Sequence, residues 1–298
     1  MHTLFLSGIM KIIQLKLKLY KLHCFDLFHH LHITLNSKIM NKIIIYLGVA
    51  ILIIFSSCEK VIDLNLDSVS PQIAIQGNIY DQPGPYSVKI SKTVDFYESS
   101  IYPPVAGALV IISDDHGVVD TLVEKSPGEY ITTKIVGNPG YTYSLVVTVE
   151  EISYTATSTM NNAVYIDSVY IEDAVFGSGK QVTSKFTDPI DTENYYRFIE
   201  FINNVQQSDF HVTRDELYDG ESVEYSISST NNDYKIKTGD SITIRLESID
   251  EGVYDYFRTA GSEGSQSASP DNPISNITNG ALGYFSACSY RIYPIIVP

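Results

Sequence analysis

Residues 141–158 read YTYSLVVTVEEISYTATS and contain two runs in which apolar and polar side chains alternate. The runs cover Tyr141–Val149 and Ser153–Ser158, and a period of two is typical of a strand with one buried face. Tyr, which occurs in both runs, is a common β-former. The stretch therefore predicts two β-strands and places the chain in the all-β class.

Similar short segments lie on both sides of this stretch, separated by turn signals such as Gln82–Pro85 and Asp114–Gly117. Many short strands with turn signals about every 8–12 residues are typical of an antiparallel sandwich. We expect an all-β protein in which an N-terminal immunoglobulin-like or transthyretin-like β-sandwich, residues 58–160, is followed by a second β-rich domain, residues 161–298. The further candidate strands are Val61–Asp67, Ile73–Ile79, Tyr86–Ser91, Ala108–Ser113, Val164–Ile171, Gln181–Phe186, Tyr195–Ile202, Ser222–Ser228, Tyr234–Lys237 and Ser241–Leu246.

One short stretch of the second domain has helical spacing. Its apolar residues recur every three or four positions, at Ile249, Val253, Phe257 and Ala260. Ser248 or Asp250 would cap this helix at its N-terminus, and Gly261 would end it. Residues 261–273 are rich in Gly, Ser, Pro and Asp and predict a long loop.

The N-terminal leader differs from the rest of the chain. From Met40 it reads MNKIIIYLGVAILIIFSSC, in which Lys42 precedes an apolar run of 13 residues, Ile43–Phe55. This run is too short to cross the roughly 30 Å hydrocarbon core of a bilayer as a helix. A positive residue followed by a short apolar run is typical of a secretory signal.

The residues after the apolar run predict a lipid anchor. Cys58 directly follows the small residues Ser56 and Ser57, as lipoprotein processing requires, and its thiol would carry the lipid. We predict a lipoprotein signal peptide at residues 40–57, a cleavage region at Ser56 and Ser57, and lipid attachment at Cys58. The alternatives are an uncleaved anchor and plain secretion.

Residues 1–39 precede a complete signal peptide and show no clean helical or strand period. We interpret them as an extension that comes from a start codon chosen too far upstream. The alternative is a genuine amphipathic or membrane-inserted extension. Mass spectrometry of the mature protein separates the two, because only the alternative yields peptides from this segment.

The formal charge of −15 is unevenly distributed. Residues 1–57 contain six Lys and one acidic residue, so they carry +5 and leave −20 for the rest. Because binding to phosphates needs a basic surface, this acidic balance argues against a nucleic-acid partner.

The mature chain contains few groups for catalysis or metal binding. After Cys58 it has two histidines, His116 and His211, and one further thiol, Cys288, which we expect to be a buried apolar residue. These spacings do not make a zinc site. Paired acids could serve a hydrolase or bind calcium, but a solvated acidic surface explains them more simply; the pairs are Asp114/Asp115, Glu150/Glu151 and Asp215/Glu216. We predict no catalytic residue, no cofactor and no metal site.

Two further patterns concern the surface. Twenty of the 22 Tyr follow Cys58, which predicts tyrosine packing in a sandwich or, alternatively, an aromatic binding surface.

Four Asp-Ser/Thr-aliphatic triplets match a pattern used for periplasmic O-glycosylation. The acceptor hydroxyls would be those of Ser68, Thr121, Ser168 and Ser241.

Several short motifs in order resemble one family over Cys58 nearly to the C-terminus. The motifs are Cys58–Leu64, Ile75–Ile79, Pro104–Val110, Gly128–Tyr130, Gly140–Leu145, Asn272–Ile277 and Gly280–Phe285. They resemble the exported Bacteroidetes lipoproteins called domain of unknown function 4249. Residues 104–145 also resemble a carboxypeptidase regulatory-type β-sandwich, in which Gly107 and Gly128 would adopt positive φ or allow close backbone approach.

The resemblance implies a location in the cell envelope and no particular ligand. We expect a non-enzymatic lipoprotein of the cell outer membrane, anchored by lipid on Cys58, that assists a TonB-dependent β-barrel transporter or another envelope complex. The resemblance leaves open which face of the outer membrane the protein occupies. The alternatives are a structural or adhesive surface lipoprotein without a transport role, and a hydrolase.

Overall fold

The computed structural model describes residues 71–94, 102–173, 180–208, 210–227, 235–262 and 272–298, together with positions 42, 45 and 46. Contacts divide the chain into two units, Met1–Leu66 and Asp67–Pro298. The fold below is that of the second unit. The predicted strand Val61–Asp67 lies outside the described residues.

The described part of the second unit consists of β-strands and one helix, which confirms the all-β class. The strands are β1 (Ile73–Tyr80), β2 (Ser87–Lys92), β3 (Leu109–Asp114), β4 (Val119–Thr121), β5 (Val123–Ser126), β6 (Glu129–Ile131), β7 (Thr142–Val149), β8 (Ile152–Thr159), β9 (Ile166–Asp173), β10 (Lys180–Thr187), β11 (Tyr195–Ile202), β12 (Val205–Gln206), β13 (His211–Arg214), β14 (Ser222–Ile227), β15 (Ser241–Ile249) and β16 (Leu282–Ile296). The helix, α1, is Glu251–Ser262.

Within these ranges the largest sheet has nine strands in the order β12-β11-β15-β16-β1-β2-β6-β5, with β13 also beside β11. The C-terminal strand β16 lies at its centre. The first half of β16 pairs in parallel with β1, and its second half pairs antiparallel with β15. The sheet therefore continues across the predicted domain boundary after residue 160.

Two smaller sheets pack against one face of this large sheet. The four-stranded sheet β4-β3-β7-β8 shares a core with β1, β2 and the start of β16, and includes the fully buried Tyr143 and Phe285. The three-stranded sheet β14-β10-β9 shares a second core with β11 and β15, which includes Phe186 and Phe198. Every second residue of β7 is buried, and so is every second residue of β8 from Tyr154 onward, so that these side chains build the first core as a period of two predicts.

Helix α1 packs on the opposite face of the large sheet. The Asp250 carboxylate accepts a hydrogen bond from the Val253 N–H at 2.9 Å, which identifies Asp250 as the N-cap. Val253 and Phe257 are buried against this face, as their spacing predicts. The helix continues through Gly261, one residue beyond the predicted stop. Among the described residues, no helix combines the length and the apolarity that a membrane crossing requires.

Gly107 and Gly128 have positive φ, as expected, with values of 72° and 76°. A Cβ on Gly128 would lie 2.6 Å from the carbonyl oxygen of Ile90, so glycine is required there. Strand β16 was not predicted, because its residues 285–289 are buried on both faces and lack the alternation typical of strands. Residues 235–237, predicted as part of a strand, are irregular.

Candidate functional site

Part of the predicted lipoprotein signature cannot be placed. Ser56, Ser57 and Cys58, together with the glycosylation candidate Ser68, lie outside the described residues. Their roles in signal cleavage, lipid attachment and glycosylation stay predictions.

The other glycosylation candidates lie on strands. Thr121 is exposed at the end of β4, whereas Ser168 and Ser241 are half-buried. The aspartates that precede two of them, Asp120 and Asp240, are buried and accept hydrogen bonds from backbone N–H groups. These two aspartates therefore have structural roles, and glycosylation at the three hydroxyls stays a prediction.

The two histidines lie in separate parts of the fold. His116 occupies the exposed turn after β3, where its ring stacks on Tyr141 with centroids 3.6 Å apart. Its Nδ1 lies 2.8 Å from an Asp115 oxygen, and this hydrogen bond lowers the Asp115 pKa. His211 begins β13 and pairs with Phe198 of the large sheet. The structure thus does not bring the histidines together.

Three carboxylates form an acidic cluster near the start of β11. Oxygens of Asp188, Asp215 and Asp219 lie within 4.8 Å of one another, and the first two residues are buried. Burial raises the pKa of Asp188, although the Tyr196 hydroxyl and a backbone N–H donate hydrogen bonds to it. The Asn194 N–H donates to Asp215 at 2.9 Å. Oxygen ligands of this kind could hold a cation.

The large-sheet face that carries α1, here called the helix-side face, is only partly covered. At one end α1 covers Tyr195, Ile249 and Cys288. Farther along β16 the side chains are open to solvent, and Ile292 and Ile296 are 59% and 65% exposed. A charged cluster lies between the covered and the open parts.

This charged cluster consists of two arginines and one glutamate. Arg197 Nη1 lies 3.2 Å from Glu247 Oε2, and Arg245 Nε lies 3.1 Å from Glu247 Oε1. The second contact is an ion pair without hydrogen-bond geometry, so Arg245 Nε and Glu247 Oε1 have no hydrogen-bond partner among the described residues. The Glu247 side chain is 2% exposed. The guanidinium of Arg197 lies 3.6 Å from the centre of the Phe257 ring, so α1 covers it.

Arg245 lies beyond the helix and is surrounded by aromatic rings. Its guanidinium carbon is 5.2 Å from the ring centre of Tyr290, 5.6 Å from that of Phe201 and 5.7 Å from that of Tyr80. These distances are within the range of cation–π attraction. Burial and the charge of Glu247 raise the pKa of Tyr80. Tyr80 is therefore neutral near pH 7.

An open pocket of about 390 Å³ lies on the same face, over β1, β2 and β6. Its lining includes Gln76, Lys89, Tyr102 and Pro127. Glu129 also borders the pocket and forms an ion pair at 3.6 Å with Lys125, which lies outside the pocket. The pocket thus offers an amide, an ammonium group and an aromatic ring to a ligand.

Comparison with known proteins identifies the family. The model of the family described as Domain of unknown function (DUF4249) matches residues 59–292. The chain belongs to the DUF4249 family. The DUF4249 match includes the pocket, the charged cluster and the acidic cluster. No curated protein matches the chain.

The resemblance of the motifs to the DUF4249 family is confirmed, whereas the charged cluster was not predicted from the sequence. Arg245 and Glu247 alternate with apolar residues on β15, a pattern that also describes a solvated strand face. Their burial follows from the position of α1 and from Tyr80 and Tyr290, which are distant in sequence. No signal in the sequence could have shown this.

Proposed function

We propose that this DUF4249 protein is a lipoprotein of the outer membrane, anchored through Cys58, that serves as a non-enzymatic accessory component of an envelope complex. The observation that carries the proposal is the start of the family match at Glu59, directly after the cysteine. A short apolar run and two small residues precede that cysteine, as in lipoprotein signals.

Lipid attachment would hold the folded unit close to the membrane. Each buried methylene contributes about 0.8 kcal/mol, so two or three acyl chains give stable anchoring. Residues 59–70 separate Cys58 from the first described residue of the fold, and such a segment spans at most about 45 Å. The folded unit is therefore within reach of other proteins of the same membrane.

The proposed partner is a TonB-dependent β-barrel transporter, as the family resemblance implies. Two features of the fold support a binding role rather than catalysis. The pocket and the partly open sheet face provide surfaces for a ligand or a protein. The only two histidines of the mature chain belong to different elements, since His116 lies in the turn after β3 and His211 lies on β13.

Metabolic labelling with an alkyne fatty acid tests the anchor. We expect the wild type and Cys24→Ser to be labelled and to sediment with outer membranes, because Cys24 lies upstream of the predicted signal peptide. Cys58→Ser should lose the label and retain its signal peptide. Labelling of Cys58→Ser, or unlabelled wild type, would contradict the proposal.

Purification after crosslinking in intact cells tests the partner. A β-barrel transporter should copurify with the lipidated wild type and be depleted with Cys58→Ser. If the lipidated wild type yields no outer-membrane barrel, the accessory role is wrong even though the anchor is right.

A further inference from the structure

We propose that Arg245 binds the carboxylate of a ligand that has an apolar body. The first argument is the charge of the cluster on the helix-side face. Arg197 and Arg245 share the single carboxylate of Glu247, which leaves one positive charge in excess. Both arginines are largely covered, with side chains 12% and 20% exposed. An unbalanced charge in partly desolvated surroundings attracts an anion more strongly than a surface charge does.

The second argument is the set of unused donors. A guanidinium has five N–H donors, and four of them are on the two Nη atoms. Among the described residues, no acceptor forms a hydrogen bond with either Nη atom of Arg245. Its Nε is directed at Glu247 without hydrogen-bond geometry. The outer edge of the guanidinium is therefore available for a planar, two-oxygen acceptor such as a carboxylate.

The aromatic rings restrict the kind of ligand. Tyr80, Phe201 and Tyr290 surround the guanidinium at 5.2–5.7 Å and exclude part of the water around it. Such surroundings strengthen a charge-assisted hydrogen bond. One excess positive charge matches a monovalent carboxylate, whereas a phosphate with nearly two negative charges would add repulsion with Glu247.

The neighbouring side chains indicate an apolar body. Ile292 lies directly opposite Arg245 in the pairing of β15 and β16, and Pro294 lies opposite Thr243. Ile292 and Ile296 are mostly exposed and continue this side of β16 to the end of the strand. An anion bound at Arg245 would thus extend its remaining atoms over an apolar surface.

Two sources share this chemistry, a free fatty acid and the C-terminal carboxylate of an apolar peptide. Titration calorimetry of the full chain in nonionic detergent distinguishes them. The probes are octanoate, with octanol as its uncharged control, and acetyl-Val-Leu-Ile-Phe, with its C-terminal amide as control. We expect at least one acid to bind tenfold or more tightly than its control. Equal binding of both acids and their controls would overturn the proposal.

Substitutions locate the site. Arg245→Gln should weaken binding of the acid at least tenfold, and Arg245→Lys should weaken it less, because the charge remains and the two-donor geometry is lost. Arg258→Gln is the matched control, since Arg258 is half-exposed on α1 and pairs with Asp255. Equal loss in Arg245→Gln and Arg258→Gln would overturn the proposal.

A second variant covers the case in which Arg245→Gln does not fold. Ile292→Asn alters an exposed residue and leaves the charged cluster intact. It should weaken severalfold the binding of the acid that binds the wild type, whereas acetate, which has no apolar body, should bind the wild type and Ile292→Asn equally. The Arg245 Nε–H resonance should shift on addition of either acid. An unchanged resonance at saturating acid would contradict the assignment.

Discussion

Among single residues, Asp120 belongs to one of the predicted glycosylation triplets and is also a buried hydrogen-bond acceptor. Its buried carboxylate accepts hydrogen bonds at 2.6 Å from the N–H groups of Thr133 and Lys134, at 3.1 Å from that of Ile135, and at 2.7 Å from the Thr133 hydroxyl. Burial acts to raise the Asp120 pKa, but these hydrogen bonds outweigh it and hold the pKa below its usual range. The carboxylate thus organises the turn after β6.

We predict that Asp120→Asn lowers the free energy of unfolding by about 2 kcal/mol at pH 7, because the three N–H groups that share one carboxylate oxygen would then bond to a neutral amide oxygen and lose the charge-assisted part of their hydrogen bonds. A carboxyl whose pKa is lowered by folding contributes stability above its unfolded pKa of about 3.9 and loses it as the pH falls through the folded value. The difference between wild type and variant should therefore shrink below about pH 4 in urea titrations.

The control for this prediction is Thr121→Val. Thr121 is exposed, so its replacement should change stability by no more than about 0.5 kcal/mol. Equal stability of Asp120→Asn and wild type at pH 7 would show that the turn does not depend on this carboxylate.

Among the secondary-structure elements, β16 determines how the rest assembles. It spans Leu282–Ile296 and pairs with β1 on one side and β15 on the other. Gly283 has φ of 100°, and a Cβ there would lie 2.0 Å from the carbonyl oxygen of Ile75. The parallel pairing of β1 and β16 thus requires glycine at this position.

We predict that Gly283→Ala destabilises the protein by more than about 3 kcal/mol, since a strand must move to accommodate the methyl group. Gly280→Ala is the matched control. Gly280 has φ of 73° and open space around its Cβ position, so only the backbone strain of about 1–2 kcal/mol applies. Chemical denaturation followed by circular dichroism measures both. Similar losses of unfolding free energy in the two variants would mean that β16 can move to accommodate the methyl group without destabilising the protein.

For the whole molecule, the large sheet connects two cores. One core includes Leu145 and the other includes Leu246, and each of these leucines is 1% exposed. Because β16 contributes to both halves of the sheet, unfolding of one core would remove a pairing partner from the other. The two halves predicted from the sequence therefore share a backbone hydrogen-bond network.

We predict that Asp67–Pro298 unfolds in a single transition. Leu145→Ala and Leu246→Ala should each lower the free energy of that same transition by about 2–5 kcal/mol. Hydrogen exchange of both cores, together with tyrosine fluorescence, provides the measurement. Two transitions, each displaced by only one of the variants, would instead establish two independent domains.

Several elements of this fold could be predicted from short stretches of the sequence. The alternation in residues 141–158 predicted β7 and β8, and the spacing of Val253 and Phe257 predicted α1. The strand β16 could not be predicted from alternation, because its residues 285–289 are buried on both faces. The charged cluster on the helix-side face was also missed, because its burial depends on residues from four strands and a helix.

The sequence by itself determined the all-β class, the helix, and the family to which the chain belongs. These depend on periodicity and on short motifs, which act over a few residues. Only the tertiary structure decided that β16 joins the two halves and that Arg245 lies among Tyr80, Phe201 and Tyr290. The physical reason is that strand pairing and side-chain burial bring together residues far apart in the chain, and no local pattern specifies which of them meet.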